Sequence, residues 1–372
     1  MLNSVNIENF KCFIDKKINL KPVTVLVGAN GSGKSSVVQA LLLAREAIEQ
    51  ERISSGVGQE LDISINGPFM LQMGQASSVF ANPSIPKIKV TLEDTNEITK
   101  EFSFTFDGRD ASHLLKGMIG SSNEDHLSGE FQYLHAERLG PRKSLDMPSS
   151  SWIDIGCQGE FVYHSIYLAD TMKTLVHDAL RQNESSTKFS HQVESWMQFL
   201  FPHLKFQYET VNDLNKLTMK FSNAAADTRY CSPPNTGFGI SYTLPIVTAG
   251  LKLSTGTNPV LIVENPEAHL HPMGQSRIGR YLALLSLAGV QVIVETHSEH
   301  VINGIRIFMA RSGRAKDLGI QYFSQDDEGI RIELLELKEN GELTDWPVGF
   351  FDQEQNDLKE LMFLKREKGS AR

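Results

Sequence analysis

The sequence predicts an α/β fold that combines a mixed β sheet with a doubly wound parallel core and an inserted helical or mixed subdomain. Three observations predict this fold class. Short strand patterns occupy the first 28 residues and lead directly into a helix. From Gly239 onwards, helical and apolar strand patterns alternate, as they do in a parallel sheet that is covered on both faces. Between 111 and 230 the pattern is less regular, which indicates an insertion.

These patterns divide the chain into four expected segments. We expect an N-terminal lobe with antiparallel strands at 1–110, the inserted subdomain at 111–230, a C-terminal lobe at 231–315 and a C-terminal module at 316–372.

Composition and charge limit the classes of partner. The 372 residues include 36 Lys and Arg against 45 Asp and Glu, a formal net charge of -9. Such a chain is not a general polyanion binder, so contact with DNA requires a local basic patch. Three distant cysteines without CxxC spacing favour a reduced compartment. Because no signal sequence and no apolar stretch of about 18 residues is present, we expect a cytoplasmic protein without a membrane partner.

Local patterns predict the elements of the N-terminal lobe and of the insertion. In the N-terminal lobe, the alternation and one buried apolar run predict strands at 5–10, 13–20 and 23–28, a helix at 35–50, and a hairpin of 88–94 with 98–108. In the insertion, the pattern predicts helices at 168–182 and 191–201 and strands at 206–210 and 217–221.

The C-terminal lobe has the most regular pattern. It predicts helix, strand, helix, strand and helix in turn, at 241–254, 259–264, 272–289, 290–297 and 298–313. The C-terminal module predicts two strands and then a polar segment, with the strands at 320–325 and 330–337.

The stretch from Gly28 to Ser35, GANGSGKS, matches GxxxxGK[ST] in full. It follows a buried strand and opens a helix, which is the context that a phosphate-binding loop requires. Glycines allow the backbone amides to turn inward around phosphate oxygens, and the helix N-terminus adds its dipole. In such a loop Lys34 reaches the β- and γ-phosphates, and Ser35 ligates Mg²⁺. The flanking strand and helix disfavour an incidental glycine-rich turn.

Two further polar positions follow apolar strands. Glu264 ends VLIV and could hold Mg²⁺ directly or through water, unless it is a surface acid at a strand end. His297 follows VQVIVET, 33 residues after Glu264, and could donate to a γ-phosphate oxygen. The alternative for His297 is a helix-capping turn, because Thr296 and Ser298 are both good N-caps.

A weaker signal precedes the helix at 241–254. The stretch NTGFGIS places Gly237, Gly239 and Ser241 at a helix start, where exposed amides and a hydroxyl can bind an anion. Taken alone, this stretch indicates only a junction between a loop and a helix.

Together these motifs resemble those of an ABC-class ATPase of the RecF, SMC and OLD-like group, among the bacterial AAA-type ATPases related to phage-defence systems. The resemblance is carried, in chain order, by IENFKCF, VLVGANGSGKSS, GFGIS, VLIVENPEAHLHP and VETHS. It implies an ABC-type ATPase head with ATP and Mg²⁺ as cofactors. The tail stretch WPVGFFDQE resembles a C-terminal module found in an uncharacterised subset of these ATPases.

The resemblance also implies a role for each motif residue. Glu264 corresponds to Walker B, 268–272 to the D-loop and His297 to the switch histidine, while Gly237, Gly239 and Ser241 form a degenerate signature that acts on a second subunit. Either Gln72 or Gln75 corresponds to the Q-loop, with Gln72 as the candidate metal ligand. The nucleotide-binding residues implied are Lys11, Gly28, Asn30, Gly31, Ser32, Gly33, Lys34, Ser35 and Ser36.

Three features depart from the family pattern. The segment 111–230 lacks the sustained heptads of a long coiled-coil arm, and no acidic metal-nuclease domain follows the ATPase core. Asn265 stands where the relatives carry a catalytic glutamate. Three residues could therefore handle the attacking water: Asn265 as a positioning amide, Glu267 by moving toward the γ-phosphate, or Glu264 acting on both metal and water. We favour slow hydrolysis with Asn265 positioning the water and Glu264 essential.

Two other groups of residues have alternative interpretations. HLH and HSEH follow two strands that could be neighbours, so a zinc site is conceivable, formed by His269, His271, His297 and His300. In HAERLGPRK, a small phosphate-binding patch or an ordinary solvated loop is formed by Arg138, Arg142 and Lys143.

The expected function is an ATP-driven switch. Two copies would sandwich ATP between each P-loop and the partner's signature, and would control an effector such as a nuclease, or DNA, in phage defence or DNA maintenance. The alternative is a scaffold that binds ATP without hydrolysis. A nuclease site within 111–230 is disfavoured because that segment has no paired-acid metal motif.

Overall fold

The computed structural model describes residues 1–54, 60–106, 113–120, 129–148, 155–223, 229–327, 329–347 and 349–369. The end of the predicted strand at 98–108 and parts of the predicted insertion lie outside these residues. The first part of the described residues contains seven strands and one helix: β1 (Leu2–Phe10), β2 (Phe13–Asn19), β3 (Val23–Gly28), α1 (Lys34–Ser54), β4 (Leu61–Ser64), β5 (Lys87–Asp94), β6 (Thr99–Thr105) and β7 (Leu114–Ile119).

The rest of the described chain contains eight strands and six helices. These are β8 (Phe131–Leu134), β9 (Ser144–Asp146), α2 (Val162–Thr171), α3 (Phe189–Leu200), β10 (Leu204–Val211), β11 (Lys216–Asn223), α4 (Phe238–Leu253), β12 (Val260–Glu264), α5 (Pro272–Leu284), β13 (Gln291–Glu295), α6 (Glu299–Arg311), β14 (Leu318–Asp326), β15 (Gly329–Glu336) and α7 (Gln353–Gly369).

A six-stranded core sheet positions the motifs. Its order is β15-β14-β3-β13-β12-β8, and every pair is parallel except the outer hairpin of β14 and β15. β13 lies between the P-loop strand β3 and the strand β12 that ends in Glu264. Because the carboxyl ends of parallel strands meet at one edge, the loops after β3, β12 and β13 converge there.

Alternate residues of the core strands face two hydrophobic cores. Val25 and Val263 belong to the core shared with α4, α5 and α6, while Leu26 and Ile262 belong to the core shared with α1 and the antiparallel sheet. The core sheet is therefore covered on both faces, and the predicted fold class is confirmed.

The other two sheets are antiparallel. One has the order β2-β1-β5-β6-β7-β4 and packs against α1; the other is the small sheet β10-β11-β9. β7 and β8 lie within the segment 111–230, yet they pair with the antiparallel and core sheets respectively. The segment boundaries drawn from the sequence remain a prediction.

Four short strands, β4, β7, β8 and β9, were absent from the sequence prediction. They are three to six residues long, so the local pattern is too short to distinguish them from loop. Pairing with a distant strand defines each of them, as β12 does for β8.

The helix predicted at 168–182 is wrong. α2 begins at Val162 and ends at Thr171, and only a short 3-10 turn, Asp178–Leu180, follows. Lys173 has a φ of 55°, a left-handed conformation that ends a helix, and the Thr174 amide closes the end by donating to Ala169.

The polar segment predicted at the C-terminus is instead the helix α7. Its sequence is rich in Glu, Lys, Leu and Gln, which have high intrinsic helix propensity. Its exposed apolar side chains include Leu361 and Phe363. Among the described residues, no helix is long and apolar enough to cross a bilayer.

Helices α5 and α6, which follow β12 and β13, pack with their backbones in close approach. A Cβ on Gly279 would overlap the Val301 carbonyl, and one on Gly304 would overlap the Ser276 carbonyl. The two helices that leave the candidate site therefore form one closely packed pair.

This close approach predicts that Gly304→Ala destabilises the protein by about 1–3 kcal/mol, although alanine is the better helix former. The added methyl group must push α6 away from α5. Gly274→Ala, also in α5, is the matched control because its Cβ would meet only ordinary contacts at 3.5 Å or more. Thermal unfolding of both variants measures the difference, and equal melting temperatures would contradict the packing argument.

Candidate functional site

The backbone of the GANGSGKS loop adopts the conformation that its glycines allow. Gly28, Gly31 and Gly33 have φ values of 146°, 78° and 101°. Gly28 also lies against β14, where a Cβ would overlap the Phe323 carbonyl. The loop thus needs glycine both for its backbone angles and for its contact with the neighbouring strand.

Lys34 is buried and its ammonium group closes the loop. Its Nζ donates to the carbonyl oxygens of Gly28 at 3.0 Å and Ala29 at 2.8 Å. Burial lowers the pKa of Lys34, and the nearby Glu295 carboxylate opposes that effect. A cationic group at the centre of an amide-rich loop can pair with phosphate oxygens.

The turn of the hairpin of β1 and β2 contacts the start of α1 beside the loop. Cys12 Sγ is 3.6 Å from the Ser36 hydroxyl, while Lys11 Nζ donates to Gln39 Oε1 at 2.6 Å. Lys11 is therefore held on α1 in this structure, and burial lowers its pKa.

Glu295 contacts the P-loop hydroxyl. Ser35 Oγ donates to Glu295 Oε1 at 3.0 Å, although the two residues are 260 positions apart. Glu295 ends β13 and is only 6% exposed. Its second oxygen, Oε2, is buried and has no hydrogen-bond partner in the part of the chain that the structure describes.

Acidic neighbours and burial shift the ionisation of Glu295. Burial raises its pKa to about 7, and the carboxylates of Glu264 and Glu267 act in the same direction; Ser35 and Lys34 oppose them. The site therefore concentrates negative charge beside the P-loop, as an oxygen-ligand cation site does.

Glu264 lies level with Glu295 because β12 and β13 pair in register at these two residues. Its Oε1 accepts from the Tyr133 hydroxyl at 2.9 Å, and its Oε2 accepts from the Ala136 amide at 3.3 Å. Burial and the Glu264 charge raise the pKa of Tyr133, so this hydroxyl remains a donor. Both oxygens of Glu264 are engaged on the side of β8.

Arg138 fixes the turn that follows β12. Its guanidinium donates to the carbonyl oxygens of Glu264 and Asn265, each at 2.7 Å, and also to those of His135 and Tyr242. It is 2% exposed, and burial lowers its pKa to about 10, so it remains charged. The interpretation of Arg138 as part of a phosphate-binding patch or solvated loop is wrong, because its donors are used internally.

Asn265 adopts a left-handed backbone, with a φ of 44°. Asparagine tolerates this conformation better than most residues. Its amide donates to the Glu295 carbonyl at 2.8 Å, and its carbonyl accepts from Arg138. The backbone of this turn is thus held by Glu295, at the end of β13, and by Arg138, which follows β8.

Glu267 joins the turn after β12 to the turn after β13. Its carboxylate accepts from the Thr296 hydroxyl at 2.7 Å and from the His297 amide at 2.8 Å. His297 is exposed, and its pKa is lowered by burial of part of the ring and by Lys34. Ser298 caps α6, because its hydroxyl accepts from the Val301 amide. The helix cap is therefore formed by Ser298 and does not use the His297 ring.

The C-terminal module reaches the same region. A cavity of about 370 Å³ is lined on one side by Glu267, His297 and His300, and on the other by Phe351 and Gln353, at the start of α7. This module therefore forms part of the wall beside the predicted switch histidine.

The predicted signature residues lie at the start of α4. A Cβ on Gly237 would meet open space, whereas one on Gly239 would lie 2.7 Å from the His269 carbonyl. The Ser241 hydroxyl is buried and lacks a hydrogen-bond partner among the described residues. Gly237 is thus the open position of the three.

The two Q-loop candidates remain undistinguished. Gln72 and Gln75 are both exposed, and Gln72 forms an isolated bridge with Asn66. Within the described ranges, no hydrogen bond joins either side chain to the P-loop.

The histidines near the site have other contacts. The His269 ring lies 4.6 Å from the Tyr242 ring, and His271 caps α5 by accepting from the Met273 amide. No group of three or more potential ligands for a metal ion is found among the histidine, cysteine and acidic residues that the structure describes.

Sequence reasoning missed two residues of this site, Glu295 and Tyr133, and gave Arg138 a different role. The acid directly before Thr296 was a signal for Glu295, at the end of an apolar strand. Tyr133 and Arg138 carry no such signal, because only the pairing of β8 with β12 brings them to Glu264.

The set of donors suits a nucleotide with its metal ion. Amides and Lys34 suit phosphates, and the oxygens of Ser35, Glu264 and Glu295 are the hard ligands that Mg²⁺ prefers.

Solved structures define the class of this fold. An SMC head bound to the C-winged helix domain of ScpA superposes with a TM-score of 0.54 at 15% identity, covering 91% of this chain and 99% of that chain. An Smc head domain with a coiled coil and joint from Pyrococcus yayanosii gives 0.53 at 11% identity, covering 91% and 98%. The fold is therefore that of an SMC head domain, an ABC-type ATPase fold.

Sequence comparison then gives the family. The family described as "AAA ATPase domain" matches residues 1–227 and 77–302, so the chain belongs to this ATPase family. A family described as "Protein of unknown function (DUF3696)" matches 314–361, in the C-terminal module.

A relative is the Old nuclease of Escherichia phage P2, with 23% identity over 359 residues. The match covers 84% of this chain and 60% of that protein, so the chain spans less than two thirds of its length.

The Arg138 contacts predict that Arg138→Lys destabilises the protein by about 2–4 kcal/mol, because an ammonium group cannot serve four carbonyls in different directions and leaves buried acceptors unpaired. Arg142→Lys is the matched control, since Arg142 is an exposed residue of the same loop. Thermal unfolding measures both variants, and a wild-type melting temperature for Arg138→Lys would contradict the role of Arg138 in fixing the turn.

Proposed function

We propose that this protein is an ATP-driven switch. Two copies bind ATP and Mg²⁺ between the P-loop of one copy and the signature of the other, in a two-fold symmetric dimer. The dimer controls a partner effector, such as a nuclease, or DNA. Phage defence or DNA maintenance is the proposed setting, because the motifs resemble those of ATPases related to phage-defence systems.

One observation supports this proposal most strongly. A full phosphate-binding loop, with Lys34 at its centre, adjoins two in-register carboxylates, Glu264 and Glu295, at the carboxyl edge of the core sheet. Bound Mg²⁺ would supply charge compensation for the transferred phosphoryl group. The protein's own groups bind the phosphates and orient the attacking water.

Hydrolysis is proposed to be slow. Asn265 has no basic side chain, so it orients water without removing a proton. The Glu267 carboxylate is engaged by Thr296 and His297, which favours a role in linking the two turns over a role as a base. A long-lived ATP state suits a switch in which the dimer persists between exchanges.

The proposed effector takes its class from a relative. The Old nuclease contains residues outside the matched region, since the match covers 60% of it. We propose by analogy with the name of that relative that the partner effector is a nuclease. The alternative, an ATP-binding scaffold without hydrolysis, predicts the same dimer and no turnover over hours.

The dimer is tested by measuring mass by light scattering with and without a non-hydrolysable ATP analogue and Mg²⁺. We expect the analogue to double the mass of the wild type and to leave Gly237→Arg monomeric, because the side chain would extend from an open position into the sandwich. This variant is preferred to Ser241→Arg because the Ser241 hydroxyl is buried.

Two controls define this experiment. Thr187→Arg adds the same charge at an exposed loop position and should dimerise normally, while Lys34→Ala should lose nucleotide binding and therefore the dimer. The sandwich would be refuted if the mass of the wild type did not change when the analogue is added, or if the Gly237→Arg variant dimerised fully.

The water-handling residue is tested by steady-state ATP turnover. We expect Asn265→Gly to lower the rate by about 10-fold or more, in the range seen when positioned polar groups are removed. Glycine is chosen because it tolerates the left-handed backbone of position 265. Asn265→Asp should raise the rate, since it adds a carboxylate while keeping a residue that this backbone accepts.

Glu267→Gln decides between the alternatives. If it turns over ATP at the wild-type rate while Asn265→Gly is slow, the asparagine positions the water. A dead Glu267→Gln beside an active Asn265→Gly would instead make Glu267 the base.

A further inference from the structure

Glu295 has no assigned role in the family pattern, yet it accepts a hydrogen bond from the P-loop hydroxyl of Ser35. We propose that Glu295 is the carboxylate that partners Ser35 at the metal site, the place that the pattern gives to Glu264. This inference rests on the proposed ATP and Mg²⁺ binding.

The strand order favours Glu295 for this place. β13 is hydrogen-bonded directly to the P-loop strand β3, with Glu295 level with Leu26, whereas β12 is one strand further away. Glu295 and Glu264 are register partners, so both reach the same edge of the sheet. The acid that ends β13 is therefore the nearer of the two to the loop.

The hydrogen bonds separate the two acids further. Ser35 donates to Glu295 at 3.0 Å, while both oxygens of Glu264 accept from groups on or after β8, Tyr133 and Ala136. A hydroxyl that ligates a cation through its oxygen can still donate its proton, so the contact between Ser35 and Glu295 is compatible with metal binding.

The free oxygen of Glu295 supplies independent support. Oε2 is buried without a hydrogen-bond partner among the described residues, in a side chain that is 6% exposed. A buried carboxylate oxygen without a partner is costly unless a cation or an ordered water satisfies it. Together with the neighbouring carboxylate of Glu264, it gives a hard, negatively charged ligand set that fits Mg²⁺.

This position also bears on Asn265. The pattern expects two successive acids after β12, and this chain has only one. Glu295 restores the number of carboxylates at the edge from the adjacent strand, at the same level as Glu264. The chain thus keeps two acids beside the P-loop, and these acids lie on two adjacent strands and not next to each other on one strand.

The test measures Mn²⁺ binding to protein saturated with a non-hydrolysable ATP analogue, by electron paramagnetic resonance of free Mn²⁺. We expect Glu295→Gln to weaken Mn²⁺ binding by at least 10-fold, because a neutral amide is a poor partner for a hard cation. Glu264→Gln is the matched control, and its smaller loss would identify Glu295 as the principal acid. Wild-type Mn²⁺ affinity in Glu295→Gln overturns the proposal.

Two further measurements keep the result specific. Ser35→Ala, which removes the hydroxyl that donates to Glu295, should weaken Mn²⁺ binding less in a Glu295→Gln background than in the wild type, since the two groups act together. Additive losses would overturn the pairing. Binding of a fluorescent ATP analogue separates this proposal from the proposed function. Absence of binding to the wild type in excess Mg²⁺ would refute the proposed function, while equal binding to the wild type and Glu295→Gln in EDTA would show that only the metal site has changed.

Discussion

The parallel pairing of β13 between β3 and β12 is the constraint on which the rest of the site depends. It brings three chain segments that are far apart in sequence to one edge, and it fixes their level to within a residue. Glu264 and Glu295 are partners in that register, and Leu26 is opposite Glu295 on the other side. A one-residue slip would turn these carboxylates to the opposite face of the sheet. Precise hydrogen bonding between apolar strands thus determines where the charged groups meet.

The turns after these strands are held by a connected set of buried polar contacts. Arg138 binds the consecutive backbone carbonyls of Glu264 and Asn265, and Glu267 binds the turn that carries His297. The helices that leave both turns, α5 and α6, pack with close backbone contact at Gly279 and Gly304. A displacement of the two turns beside the P-loop would therefore move α5 and α6 together, because closely packed elements transmit displacement.

The parts of this architecture that were predictable have strong local signals. The P-loop matches all four fixed positions of GxxxxGK[ST], and the alternating helices and strands after Gly239 are long enough for periodicity to be decisive. β8, Tyr133 and Arg138 were not predictable, because their places depend on pairing with β12, more than 120 residues later. The helix predicted at 168–182 failed for a different reason: a left-handed Lys173 ended it, and lysine gives no sequence signal for that conformation.

The asparagine after Glu264 acquires a physical explanation from its backbone. Position 265 has a φ of 44°, and its carbonyl must face Arg138 while its amide faces Glu295. Asparagine adopts this conformation at lower cost than glutamate does. The turn therefore favours asparagine over the glutamate that the family pattern expects, and the second negative charge at the edge comes from Glu295. Glu295 lies on the strand between the P-loop strand and the strand that ends in Glu264. It supplies the negative charge that a cation-binding site needs, while Asn265, after the adjacent strand, supplies the backbone conformation that the turn needs.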